Sequence, residues 1–168
     1  GHGSTFWFTV RLTALAATTK PTAEEAAAPS CACRRVLLAE DNPVNQRVAL
    51  HMLQKAGHQV DAVANGQEAL DALEARRYDV VLMDVQMPVL DGLQATKRWR
   101  ALEAQRGQPL LPIVAVTAHA MREHKKQCLE AGMTAYLTKP VRPDLLCESI
   151  ERVVTEAQAR AAHAPPEA

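Results

Sequence analysis

The chain has 168 residues, 48% of them hydrophobic and only 4% aromatic, which suits one domain of roughly 100–200 residues with an aliphatic core, plus tails. Lys+Arg and Asp+Glu balance at 19 each, so no excess of basic charge supports binding to a phosphate backbone, and nucleic acid is not expected as a direct partner. The four cysteines form no Cys-x-x-Cys pair and have no His at zinc spacing, so they read as reduced thiols of a cytoplasmic protein; no apolar run approaches the ~20 residues of a membrane span.

Residues 1–12 alternate Phe6, Phe8 and Val10 with Trp7, Thr9 and Arg11, a strand pattern with one apolar face. Isolated strands are not stable, so this segment reads as the last strand of something upstream. Residues 13–34 shift to Ala, Thr, Pro and Glu and read as a flexible linker. Val36-Leu37-Leu38-Ala39 is a continuous apolar run, as in a buried parallel strand. Asn42-Pro43 then supplies a helix cap and a proline at the first helical position, and Gly57 ends the helix. The unit recurs: a weaker strand about Val60, a helix over residues 67–76, a strand at residues 80–83 and a helix from Gly92 to about Gln105. Further on come a strand over residues 111–116, a helix over residues 121–131, a short strand at residues 135–137 and a helix from Asp144 to about Arg160. Residues 156–168 are expected as a helix extension and tail. Five strands alternating with five helices predict an α/β fold, a doubly wound parallel sheet with helices on both faces.

In such a sheet, ligands bind outside the carboxyl ends of the strands. The first strand ends in Glu40-Asp41, the third in Asp84, the fourth in Thr117-Ala118 and the fifth in Thr138-Lys139-Pro140. Three carboxylates, a hydroxyl and an ammonium are thus expected on one edge, with no Gly-rich phosphate loop after the first strand. Carboxylates so placed repel one another, so either some become protonated or a cation joins them. Mg²⁺ suits the donors, since it takes hard oxygen ligands and keeps several waters. One aspartate can then serve as a nucleophile toward phosphorus, and a lysine with Mg²⁺ supplies charge neutralisation.

The runs Leu38-Ala39-Glu40-Asp41-Asn42, Leu82-Met83-Asp84-Val85-Gln86-Met87-Pro88-Val89-Leu90-Asp91-Gly92, Val116-Thr117-Ala118 and Leu137-Thr138-Lys139-Pro140 resemble the receiver domains of two-component signalling, in order, over residues 35–155. The resemblance implies a flavodoxin-like fold, with Asp84 accepting a phosphoryl group from phosphohistidine. It implies that Asp41 and Asp84 bind Mg²⁺, joined by the backbone carbonyl of Gln86, with Glu40 helping through water. Thr117 is then the switch hydroxyl, Lys139 the cation that pairs with the phosphoryl group, and Tyr136 the switch aromatic, for which a half-buried strand aromatic is the plain alternative. Gln86 and His119 occupy the positions that tune phosphorylation lifetime; a solvated helix-start residue is the plain alternative for His119. Pro140 is expected cis, an expectation that rests on the resemblance because only about 5–6% of X-Pro bonds are cis. His51, His58, His124 and His163 read as surface residues.

Residues 3–10 are similar to the end of the ATP-binding domain of histidine kinases, so the order resembles a piece of a hybrid sensor histidine kinase anchored in the inner membrane. The expected donor is the kinase's dimerisation domain or a histidine-phosphotransfer protein. The piece itself is expected to be monomeric and no enzyme beyond self-catalysed phosphorylation and dephosphorylation. A free-standing response regulator would need an output domain after Arg160, and a degenerate receiver would lack acidic residues that are present here. A haloacid-dehalogenase-like phosphatase needs a second Asp where Gln86 stands.

Overall fold

The computed structural model describes residues 32–118 and 122–162. Its elements are β1 (Arg35–Ala39), α1 (Pro43–Lys55), β2 (Gln59–Val63), α2 (Gly66–Ala75), β3 (Val80–Asp84), α3 (Gly92–Arg106), β4 (Ile113–Thr117), α4 (Arg122–Glu130), β5 (Ala135–Thr138) and α5 (Pro143–Ala162). The strands form one parallel sheet in the order β2-β1-β3-β4-β5. The strand-like segment in residues 1–12, most of the linker, His119 and the tail from His163 lie outside the described residues.

Central strands β3 and β4 are buried along their whole length, whereas β2, at the edge, is not. Alternation along the strands splits the apolar residues between two cores. Leu37, Val81, Met83 and Ala115 face Ala69 and Leu73 of α2, Ala95 and Trp99 of α3, and Cys128 of α4. Val36, Leu38, Leu82 and Val114 face Leu53 of α1 and Leu146, Ile150 and Val153 of α5. Cys128 and Cys147 are buried and in no disulfide, and burial pushes the Cys128 thiol up, away from a reactive thiolate.

Local chemistry sets the helix ends. The Asn42 side chain accepts from the backbone of Val44 and Asn45, with Pro43 at the first helical position. Asn65 caps α2 through Glu68 and Asp91 caps α3 through Gln94. Gly107 ends α3 in the left-handed region, φ +60°, where a side chain would be strained.

Three boundaries or environments differ from the sequence expectation for physical reasons. Strand β4 begins at Ile113 rather than residue 111, because Leu111 is held outside the ladder. Its N–H donates to Glu103 Oε1 (2.7 Å) and its carbonyl accepts from Arg100 (2.8 Å). Glu103 is 1% exposed and fully partnered, by Trp99 Nε1 (2.8 Å), Leu111 and Arg100, and Arg100 also donates to the carbonyl of Gly132 (2.8 Å). A buried charge is tolerated when its lone pairs are satisfied in this way. Arg34, expected in the linker, packs on the domain with its guanidinium 3.5 Å from Glu151.

The third correction is His58, expected at the surface and found 5% exposed. Its Nδ1 accepts from the Arg34 N–H at 3.4 Å, and its Nε2 has no partner among the described residues. Burial pushes the imidazole below its ordinary value of 6.5; the nearby Glu151 charge pulls it back and Arg34 pushes it down further. The folded state therefore binds this proton less readily than the unfolded chain, so stability is present above pH 6.5 and lost as pH falls below it. In thermal melts between pH 6.5 and about pH 5, the wild type is expected to lose melting temperature more steeply than His58→Gln. Equal slopes would show that the His58 proton is not linked to folding. His51 is exposed and His124 half-buried.

Candidate functional site

The carboxyl ends of β1, β3, β4 and β5 bring the predicted residues together. Side-chain oxygens of Glu40, Asp41 and Asp84 lie within 4.8 Å of one another, with Glu40 and Asp84 buried and Asp41 exposed. Lys139 reaches between them, its Nζ 2.6 Å from Asp84 Oδ2 and 2.6 Å from Glu40 Oε2. Burial alone would lower the Lys139 pKa; the hydrogen bonds and charges of Asp84 and Glu40 outweigh it and raise it above 10.5. The lysine therefore stays an ammonium throughout the neutral range.

Asp84 is 6% exposed at the last position of β3. Its Oδ1 accepts from the backbone N–H of Gln86 at 3.1 Å, so the loop after β3 grips the same carboxylate that Lys139 holds. That loop is tight. The Leu90 N–H bonds the Pro88 carbonyl at 2.7 Å across Val89, whose φ of +67° is unusual for a β-branched residue. The Gly92 N–H then returns to the Val85 carbonyl at 3.0 Å and α3 begins.

Thr117, 4% exposed, ends β4 beside Asp84, and its carbonyl accepts from the Lys139 N–H at 2.8 Å. The Lys139–Pro140 bond is cis, as expected. Tyr136 is an exposed residue of β5, with Lys125 Nζ 4.7 Å from its ring centroid. Gln86 is exposed at the rim.

Two residues of this edge were missed in the sequence. Asn45 Nδ2 donates to Glu40 Oε1 at 2.9 Å. Gln46 Nε2 bridges the carbonyls of Glu40 and Val63, 3.2 Å each. The only sequence signal was their place in the helix turn that Asn42-Pro43 starts.

The donor set is one that a small, hard divalent cation fits: three carboxylates within reach of one centre, one of them open to solvent for the waters Mg²⁺ retains. Residues 36–151 match the response regulator receiver domain family. The chain belongs to that family.

The receiver is 47% identical over 116 residues to the sensor protein GacS of Pseudomonas syringae, covering 69% of this chain and 13% of that protein. It is 44% identical over 122 residues to hybrid signal transduction histidine kinase I of Dictyostelium discoideum, covering 70% of this chain and 7% of that one. It therefore spans a small fraction of the length of the curated relatives it matches. Among solved structures it resembles the receiver domain of a sensor histidine kinase from Pseudomonas aeruginosa, which has magnesium coordinated in its active-site cleft. That match has TM-score 0.67 and 44% identity, and covers 74% of this chain and 99% of the other. It also resembles a co-crystal structure of a Saccharomyces cerevisiae histidine phosphotransfer protein with the receiver domain of its downstream response regulator. Here the TM-score is 0.70 and the identity 34%, covering 73% of this chain and 90% of that one. Two-component signalling is thus the setting of this fold and this site. Among the described residues no helix is long and apolar enough to cross a membrane.

Proposed function

We propose that Asp84 is the phosphoacceptor of this receiver, taking a phosphoryl group from a phosphohistidine on a partner protein. The observation that carries the reading is the convergence of Glu40, Asp41 and Asp84 within 4.8 Å under the Lys139 ammonium. An Asp84 carboxylate oxygen attacks phosphorus, the P–N bond to the donor imidazole breaks, an acyl phosphate forms, and the imidazole takes up a proton from solvent. Asp41, Asp84 and the backbone carbonyl of Gln86 would hold Mg²⁺ directly, and Glu40 would assist from the outer shell. The ion, when bound, neutralises charge on the transferring group.

Lys139 exchanges its ion pair with Asp84 for one with the phosphoryl oxygens, and the Thr117 hydroxyl donates to another. Tyr136, on β5 three residues before Lys139, turns inward in response, biasing a two-state equilibrium of α4 and β5. The side chains of Gln86 and His119 flank the path of the hydrolytic water and tune the lifetime. Val44 and Val48, 68% and 48% exposed on the α1 turns nearest Glu40, form the apolar patch on which the histidine-bearing partner docks. The domain, residues 35–155, follows a linker and a kinase remnant and belongs to a hybrid sensor histidine kinase.

The test uses the chain as it stands. Acetyl phosphate with Mg²⁺ is expected to add one phosphoryl group by intact mass, and none when the metal is chelated. Absence of any Mg²⁺-dependent addition would sink the reading.

A further inference from the structure

We propose that Asn45 is a positioning residue for the acidic site, acting through Glu40; this rests on the Mg²⁺-dependent reading above. Glu40 is 3% exposed, and its two side-chain oxygens are held by donors of different kinds. Oε2 takes the charged Lys139 Nζ at 2.6 Å, and Oε1 takes the neutral Asn45 amide at 2.9 Å. Lys139 spans Glu40 and Asp84 with equal distances of 2.6 Å, so it draws Glu40 toward the acceptor. Asn45 draws the other oxygen toward α1 and fixes the carboxylate plane between the two.

The placement of Asn45 is built, not incidental. Asn42 Oδ1 accepts from the N–H groups of Val44 and Asn45 at 2.9 and 3.3 Å, which sets the first turn of α1 directly above the end of β1. Gln46, the next residue, ties that turn to the carbonyls of Glu40 and Val63. A neutral donor suits the position. A lysine or arginine would place a cation beside the cation site, and an aspartate would face Glu40 with a like charge. Without the amide, the Glu40 carboxylate is held at one oxygen only, by Lys139 at 2.6 Å, and its plane is free to rotate about that contact.

Asn45 is exposed, so Asn45→Ala leaves no cavity and opens Glu40 Oε1 to water, and the better helix propensity of alanine partly offsets the lost hydrogen bond, so the variant is expected to fold. Partners one contact removed from a bound metal typically change its affinity about 10–100-fold when lost, and Asn45 acts one contact further out, through Glu40, so its effect is expected at the low end of that range. Calorimetric titration with MgCl₂ alone is therefore expected to show binding about tenfold weaker in Asn45→Ala than in the wild type. In a Glu40→Ala background the same substitution is expected to cause no further change, because the two act as a unit. Unchanged Mg²⁺ affinity in Asn45→Ala overturns the proposal. So does a tenfold loss that persists when Glu40 is absent. A wild type that binds no Mg²⁺ removes the underlying reading as well, which separates the two failures.

Discussion

Asp84→Asn is expected to fold and to take up no phosphoryl group at all. Asparagine keeps the shape of the side chain and can still accept the Gln86 N–H with its remaining oxygen, a bond of 3.1 Å in the wild type. What it lacks is a nucleophilic oxygen, since the amide nitrogen cannot form an acyl phosphate. It also turns an NH₂ group toward Lys139 Nζ, which donates to Asp84 Oδ2 at 2.6 Å, so two donors meet. The loss of that charged hydrogen bond is offset by relief of repulsion among three carboxylates within 4.8 Å. The net change in stability is expected within about 1 kcal/mol. The assay pairs a melting curve with intact mass after acetyl phosphate and Mg²⁺. Residual Mg²⁺-dependent labelling in a folded Asp84→Asn protein would place the acceptor elsewhere.

Gly92→Ala is expected to give the largest structural effect. Gly92 is the first residue of α3, and its backbone is bonded to Val85, so it sits directly against the end of β3. A Cβ there would overlap the carbonyl oxygen of Asp84 and lie 2.9 Å from Met83 Cγ. The main obstacle is backbone in the middle of the sheet, which cannot yield without moving Asp84. Overpacking of this kind belongs at the upper end of its usual range, about 3 kcal/mol, or a melting-temperature loss of about 10 °C. Phosphorylation is expected to fall with it. Gly107→Ala is the control, for nothing lies near its Cβ and only its φ of +60° opposes a side chain, at about 1–2 kcal/mol. If Gly92→Ala melted no lower than Gly107→Ala, the close approach of α3 to Asp84 would be contradicted.

The sheet was legible because its central strands are buried on both faces and read as unbroken apolar runs. The edge strand β2 read weakly for the same reason, since Gln59 and Asp61 meet solvent on one side. The acidic edge was legible because topology alone sends the ends of parallel strands to one place, so Glu40, Asp41, Asp84, Thr117 and Lys139 could be gathered without knowing any distance. What stayed hidden depends on contacts far apart in the chain. His58 follows a helix-ending glycine and looks like a loop residue until Arg34 and Glu151 arrive to bury it. Glu103 looks like a solvated helix charge, yet Trp99 and Arg100, one turn before it, are the groups that let it be buried. Asn45 looks like a helix-surface residue, and its function depends on where the cap at Asn42 aims the first turn.

The central claim is that the phosphoryl group resides on Asp84, and peptide mapping tests it most directly. The wild-type chain is phosphorylated with acetyl phosphate and Mg²⁺, the acyl phosphate is trapped by borohydride reduction, and the digested peptides are sequenced by tandem mass spectrometry. The expected result is a single modified aspartate, Asp84, which disappears when the metal is chelated. Modification of Asp41, of a histidine, or of any residue without regard to Mg²⁺ would contradict the account.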